Sequence, residues 1–197
     1  MSFKGDPVRV LVVPGLHDSG HGHWQTWLEG HFRTSTTRVR QDDWAVADLE
    51  RWADRIDVTI ARHPGARWVA AAHSFGCLAL ARYLAHGGQG IHAALMVAPA
   101  DPEKFAAGPF LPQARLPIPA ALLASENDPW MRLDSARAWA RIWGAQFINL
   151  GAVGHINTES GFGPLPQAKT LVELMIQRVE RSRRPVRAHP LEFSFAI

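Results

Sequence analysis

Ser74 ends the apolar run Val69-Ala70-Ala71-Ala72-His73 and leads through Phe75-Gly76 into Cys77-Leu78-Ala79-Leu80-Ala81-Arg82-Tyr83-Leu84. An apolar run closed by a turn signal reads as a buried strand, and the segment after it reads as a helix covering that strand. A serine on such a sharp turn sits on strained backbone and needs small residues two positions away on each side. Ala72 and Gly76 fill those places, giving Ala-x-Ser-x-Gly. The same pattern also describes an ordinary strand-to-helix turn, so its chemistry depends on partners elsewhere in the chain.

A serine hydroxyl is a weak nucleophile at neutral pH and acts only when a base and an acid join it. Strand-like residues 118–124 run into Ser125-Glu126-Asn127-Asp128-Pro129-Trp130, which sets acidic groups at a strand's carboxyl end. Asp128 is the preferred acid. Glu126 lies two residues earlier on the same turn, and Asp134 opens a helix through Ala136 and Trp139 to Trp143, where capping and the helix dipole account for it. Strand-like residues 146–150 then enter Gly151-Ala152-Val153-Gly154-His155-Ile156-Asn157, and His155 is the preferred base. In this arrangement His155 takes the proton of Ser74 while Asp128 fixes the imidazole tautomer. The backbone N–H of Phe75 would meet the developing oxyanion at a helix start, with a second donor from Leu16 or His17 after the first strand.

These stretches resemble the α/β-hydrolases, and more narrowly the small serine hydrolases of the YdeN and retinoblastoma-binding-protein-nine type. The matching residues are Pro14-Gly15-Leu16, His23-Trp24-Gln25-Thr26-Trp27, Gln41-Asp42-Asp43-Trp44, Ala72-His73-Ser74-Phe75-Gly76, Asn127-Asp128-Pro129 and Gly154-His155-Ile156-Asn157. They span the chain as far as the helix before Arg181, and the chief departure is the alanine at position 72. The resemblance implies a minimal three-layer α/β fold with about six mostly parallel strands in the order 2-1-3-4-5-6. It also implies a compact serine hydrolase with an esterase-like triad.

Several further elements must position these residues. Arg9-Val10-Leu11-Val12-Val13 reads as a first strand buried on both faces. Its exit loop holds His17, His21 and His23, which lack metal-ligand spacing on a helix or in a Cys/His framework; His17 is expected to line the site and His23 to open a helix. Trp24, Trp27 and Leu28 form the core face of that helix. Residues 36–40 read as an edge-like strand. Asp48 caps a helix over 49–61, and Asp42 and Asp43 are loop and capping groups, too early in the chain for the triad's acid. Residues 91–97 give a fourth strand. About twenty residues then lead to the next one, too few for a cap domain, so a shallow site for small esters is expected. In that connection Phe105, Phe110 and Leu111 either wall an acyl pocket or anchor the loop. A last helix covers 167 to 178 or slightly beyond, with Leu171, Leu174 and Met175 inward.

With 197 residues, 47% of them hydrophobic, the chain can bury a sizeable core, read here as a hydrolase domain over 1–180 with a basic tail at 181–197. No stretch approaches the roughly 18 apolar residues of a membrane span, and the first residues lack a signal peptide's apolar core, so a cytoplasmic location is expected. A single cysteine, Cys77, excludes an internal disulfide and reads as a small core residue. The net charge of +3 sits entirely in the arginine-rich segment from Arg178 onward, so the body offers no phosphate-binding face and no specific nucleic-acid partner. No cofactor or metal is implied; the partner is a small-molecule ester, and a hydrolase-fold binding module is the competing class. Leu191-Glu192-Phe193-Ser194-Phe195-Ala196-Ile197 alternates apolar and polar like a half-buried strand, docked on its own body or, in a homodimer, on the sheet edge of a second copy. Removing residues 185–197 is expected to lower the melting temperature or change the sedimentation coefficient; no change in either would make the segment dispensable.

Overall fold

Along Val8–Val13 (β1) the side chains alternate between two cores: Val10 and Val12 pack to one side of the sheet, and Leu11 and Val13 to the other. All four are fully buried, which explains why this strand is an unbroken apolar run. The computed structural model describes residues 8–182. After β1 come Trp24–Phe32 (α1), Thr36–Arg38 (β2), Leu49–Ala61 (α2), Arg67–Ser74 (β3) and Phe75–Ala85 (α3). Ile91–Pro99 (β4), Ala120–Ala124 (β5), Leu133–Trp143 (α4), Gln146–Asn149 (β6) and Pro166–Arg181 (α5) complete the order.

The six strands form one sheet in the order β2-β1-β3-β4-β5-β6, and every pair is parallel. Parallel neighbours need crossover connections, and helices on both faces supply all but the one from β4 to β5. Trp24 and Leu28 of α1 share one core with Ala168, Val172 and Val179 of α5. Trp52 and Ile56 of α2, Leu78 of α3, and Ala136, Ala140 and Trp143 of α4 build the other. This is the small α/β-hydrolase architecture without a cap: the connection from β4 to β5 holds only two 3-10 turns, Pro102–Phe105 and Gly108–Phe110.

Local chemistry sets the boundaries. Asp48 caps α2 by accepting from the Arg51 N–H at 3.1 Å. Pro166 opens α5, where its missing N–H costs nothing, and the helix reaches Arg181, slightly beyond Arg178 as expected, but Leu174 is exposed rather than turned inward. β5 starts at Ala120 rather than near Ile118, because Pro119 has no N–H to give; its carbonyl accepts from Ala94 at 3.0 Å. β2 stops at Arg38, short of the expected Arg40, whose carbonyl accepts from the Arg55 side chain at 2.8 Å. Cys77 is fully buried, and burial pushes its thiol up out of the reactive range. Among the described residues no helix is long and apolar enough to cross a membrane. The tail strand expected at Leu191-Glu192-Phe193-Ser194-Phe195-Ala196-Ile197 lies outside the described residues, as does the segment before Val8.

The tightest approach in the fold joins α3 to the end of β1. A Cβ on Gly76 would stand 2.2 Å from the Pro14 carbonyl oxygen and 2.5 Å from that of Val13. Both are backbone atoms, at the last residue of the central strand β1 and the one after it, and cannot swing aside as a side chain can. Gly76→Ala is therefore expected to lower the stability read by urea denaturation by about 2–3 kcal/mol, as overpacking does. The control Gly30→Ala, where a Cβ meets nothing within 4 Å, should gain about 0.5–1 kcal/mol from better helix propensity. Equal effects at the two positions would contradict the steric account.

Candidate active site

Ser74 closes β3 with φ 52° and ψ −126°, a left-handed conformation that costs a non-glycine residue roughly 1–3 kcal/mol and persists only where the surroundings hold it. The surroundings are the two flanking small residues and Gly15. A Cβ on Gly15 would come within 2.7 Å of Ser74 Cβ, so only glycine lets the β1 exit loop pass this close to the hydroxyl. Phe75 follows as the first residue of α3, where its N–H has no intrahelical partner. Its ring packs edge-on to Trp52, with centroids 5.0 Å apart, and against Phe105 at the same spacing.

The acid and base loops leave neighbouring strands and are tied together. Ser125 Oγ accepts from Val153 N–H at 3.0 Å and donates to Asn127 Oδ1 at 2.9 Å, while Asn127 Oδ1 accepts from Gly154 N–H at 2.7 Å. Ser160 Oγ accepts from His155 N–H at 3.0 Å. The result is a continuous relay. His155 Nδ1 lies 2.9 Å from both carboxylate oxygens of Asp128, and its Nε2 lies 2.9 Å from Ser74 Oγ. A carboxylate only accepts, so Nδ1 carries the proton and Nε2 presents a lone pair to the serine. Asp128 Oδ1 also accepts from Trp130 N–H at 2.8 Å, and its side chain is 2% exposed. The rival acids stand elsewhere: Glu126 accepts from Asn149 at 2.8 Å, and Asp134 is an exposed partner of Arg137.

The relay opens into a cleft of about 290 Å3 lined by Leu16, His17, His23, Phe105, Trp130 and Glu159, among others. Phe105 thus lies where a pocket wall was expected, and Leu111 is buried in the core as a loop anchor. Phe110 does not line the cleft. It is 53% exposed on a 3-10 turn, beside the guanidinium of Arg82, which also donates to its carbonyl. One backbone expectation is corrected as well: the His17 N–H donates to the Trp44 carbonyl at 2.9 Å and is not free for an oxyanion. His17 and Asp18 both have positive φ, and this kink turns the His17 amide away while its side chain stays at the cleft. Leu16 N–H has no hydrogen-bond partner among the described residues.

Several groups in the site are not marked by any motif. Arg38, at the end of the edge strand, holds the β1 exit loop through Asp18 at 2.8 Å and the Ser19 carbonyl at 2.8 Å, and reaches α1 through Thr26 Oγ1 at 2.7 Å. It pairs with Glu29 as well, and its side chain is 8% exposed. Trp130, 47% exposed, faces His155 with ring centroids 6.2 Å apart. His73 Nε2 donates to the His155 carbonyl at 3.0 Å, and its ring stands 4.9 Å from that of His155 and 4.7 Å from that of His23. Among the described residues no group of three or more His, Cys, Asp or Glu is gathered as a metal site.

The sequence model of the serine hydrolase family matches residues 10–174. The chain belongs to that family. It is similar to a solved structure from Pectobacterium atrosepticum described as a YdeN-like hydrolase, at 36% identity over 86% of this chain and 91% of that one, with a TM-score of 0.81. The ydeN gene product of B. subtilis shares 20% identity over 86% of this chain and 99% of its own, with a TM-score of 0.71. Est1E from Butyrivibrio proteoclasticus shares the fold at 12% identity, a TM-score of 0.63 and coverage of 91% and 89%. A search of curated proteins gives no match.

Burial, with Arg38 and His155 nearby, pushes the His23 imidazole down to about 4; burial, reinforced by His23 and His155, holds His73 well below its ordinary value. Between pH 6.5 and 4 the unfolded chain therefore binds more protons than the folded one, and stability falls as pH drops through that window. His23 alone should account for about 2 kcal/mol between pH 7 and 5. Urea midpoints at the two pH values test this, and a flat profile would show that these rings charge freely in the folded protein.

Proposed function

We propose that this serine hydrolase cleaves small carboxylic esters through an acyl-serine intermediate, with Ser74 as nucleophile, His155 as general base and acid, and Asp128 as the group that orients it. The observation that carries the reading is the unbroken path from Asp128 through His155 to Ser74, with both hydrogen bonds of the imidazole at 2.9 Å. As Ser74 Oγ bonds to the ester carbonyl carbon, its proton passes to His155 Nε2, and Asp128 stabilises the imidazolium. The carbonyl oxygen becomes an anion that accepts from the N–H groups of Phe75 and Leu16. The first of these gains from the dipole of α3. His155 then returns the proton to the departing alkoxide, and the C–O bond breaks. Water repeats the sequence on the acyl-serine, releasing the carboxylic acid and restoring Ser74.

The size of the cleft and the lack of a cap favour short acyl groups: about 290 Å3 is at the lower end for small-molecule sites. Leu16 and Phe105 give it apolar walls, whereas Phe110 stands outside. Structural neighbours described as esterases, at 12–14% identity, share the fold and leave the substrate open.

Hydrolysis of p-nitrophenyl acetate, butyrate and octanoate tests the reading. Ser74→Ala and His155→Ala should each abolish turnover, and Asp128→Asn should lower kcat by about 10,000-fold, because the amide holds the wrong tautomer. Glu126→Gln and Asp134→Asn should stay within about twofold of wild type, as exposed sites outside the relay do. Octanoate turned over faster than acetate would refute the small-ester pocket, and residual burst kinetics in Ser74→Ala would refute the nucleophile.

A further inference from the structure

His23 serves α1 as its N-cap, and that duty fixes its chemistry. Its Nδ1 lies 3.2 Å from the backbone nitrogen of Gln25. A backbone N–H can only donate, so Nδ1 must present its lone pair, and the proton of the neutral ring sits on Nε2. The ring cannot turn to exchange these roles without giving up the cap. It is wedged against His73 at 4.7 Å and Trp24 at 5.7 Å, and the residue is 5% exposed. Its depressed basicity keeps it uncharged at neutral pH.

The Nε2–H so fixed donates to no acceptor among the described residues, although His23 lines the same cleft as Ser74 and His155. It is not among the enclosed, partnerless atoms, so it faces the cleft, where a substrate oxygen can take the place of solvent as its acceptor. Only an acceptor will do. Glu159 lines the cleft too, and its carboxylate disfavours an anionic acceptor, while Asp18 is already paired with Arg38. An ether, hydroxyl or ketone oxygen remains.

Resting on the esterase reading above, we infer that His23 is a specificity-determining residue: its fixed Nε2–H selects esters bearing a neutral oxygen acceptor in the acyl or alcohol part, close to the scissile bond.

Two substitutions separate this role from capping. His23→Asn places an amide oxygen where Nδ1 was and keeps the cap, but removes the distal donor. His23→Gln extends an amide N–H toward the place of Nε2 and gives up the cap. Two isosteric pairs read the effect: p-nitrophenyl methoxyacetate against p-nitrophenyl butyrate for the acyl side, and 2-methoxyethyl acetate against butyl acetate for the alcohol side. Intrinsic reactivity differences cancel when the ether-to-alkyl ratio of kcat/KM is compared between enzymes. The ratio of one pair should fall about five- to tenfold in His23→Asn, the worth of one neutral hydrogen bond, and recover largely in His23→Gln. In wild type, 15N-histidine NMR should find the His23 proton on Nε2 throughout pH 6 to 8. Ratios unchanged in His23→Asn, equal losses on ether and alkyl esters, or a proton on Nδ1 would each overturn the proposal. A wild type inert toward all four esters would instead defeat the esterase reading, and this proposal with it.

Discussion

The backbone at Ser74 cannot relax, and most of the site depends on that. With φ at +52° the serine leaves β3 in a conformation that a free chain would abandon. It is held because Gly76 brings α3 onto the last carbonyls of β1, and Gly15 brings the β1 exit loop onto the serine itself. The close approach therefore has two products. It lifts the hydroxyl off the sheet toward His155, and it draws the β1 exit loop that carries Leu16 in against Ser74. A site that stabilises a developing anion gains most from donors already in place, since none of their reorganisation then falls in the reaction step.

Around this turn the protein keeps two further imidazoles, His73 and His23, neutral. His73 stands between His155, to which it is tilted, and His23, to which it is edge-on, and burial deprives His73 and His23 of charge. Neutral rings can each fulfil one fixed donor and one fixed acceptor role. His73 donates to the carbonyl of His155, next to Ile156, whose positive φ marks a second strained point. Arg38 does comparable work, with two hydrogen bonds to the loop that carries Leu16, at Asp18 and the Ser19 carbonyl, and three to Thr26 and Glu29 of α1. The loops that carry Asp128, His155 and Leu16 are thus each anchored by polar contacts outside those residues' own side chains.

The turn at Ser74 and the loops of Asp128 and His155 were legible in the sequence because each lies in a short motif at the end of an apolar run, in a fixed chain order. The parallel sheet was legible for the same reason: buried strands such as β1 and β3 read as unbroken apolar segments. What the sequence hid were relations across the chain. Arg38 looked like one polar residue of an edge strand, because its partners lie 9 to 20 positions away. His73 occupies the variable place in the motif, and only folding sets it 82 residues along from the carbonyl it holds. Trp130 comes after the acid without any periodic signal. Phe110 and the His17 amide were misplaced because a 3-10 turn and a pair of left-handed residues redirect them, and neither conformation leaves a clear mark in residue type.

The most direct test of the central claim is a crystal structure of the protein after reaction with a small alkyl fluorophosphonate, whose tetrahedral phosphorus stands in for the carbon of the acyl-transfer transition state. The expected result is a single adduct on Ser74 Oγ, with the phosphoryl oxygen within about 3 Å of the N–H groups of both Phe75 and Leu16. His17 N–H should remain on the Trp44 carbonyl. An adduct on another side chain, or a phosphoryl oxygen turned away from both amides, would contradict the assignment of nucleophile and oxyanion site together.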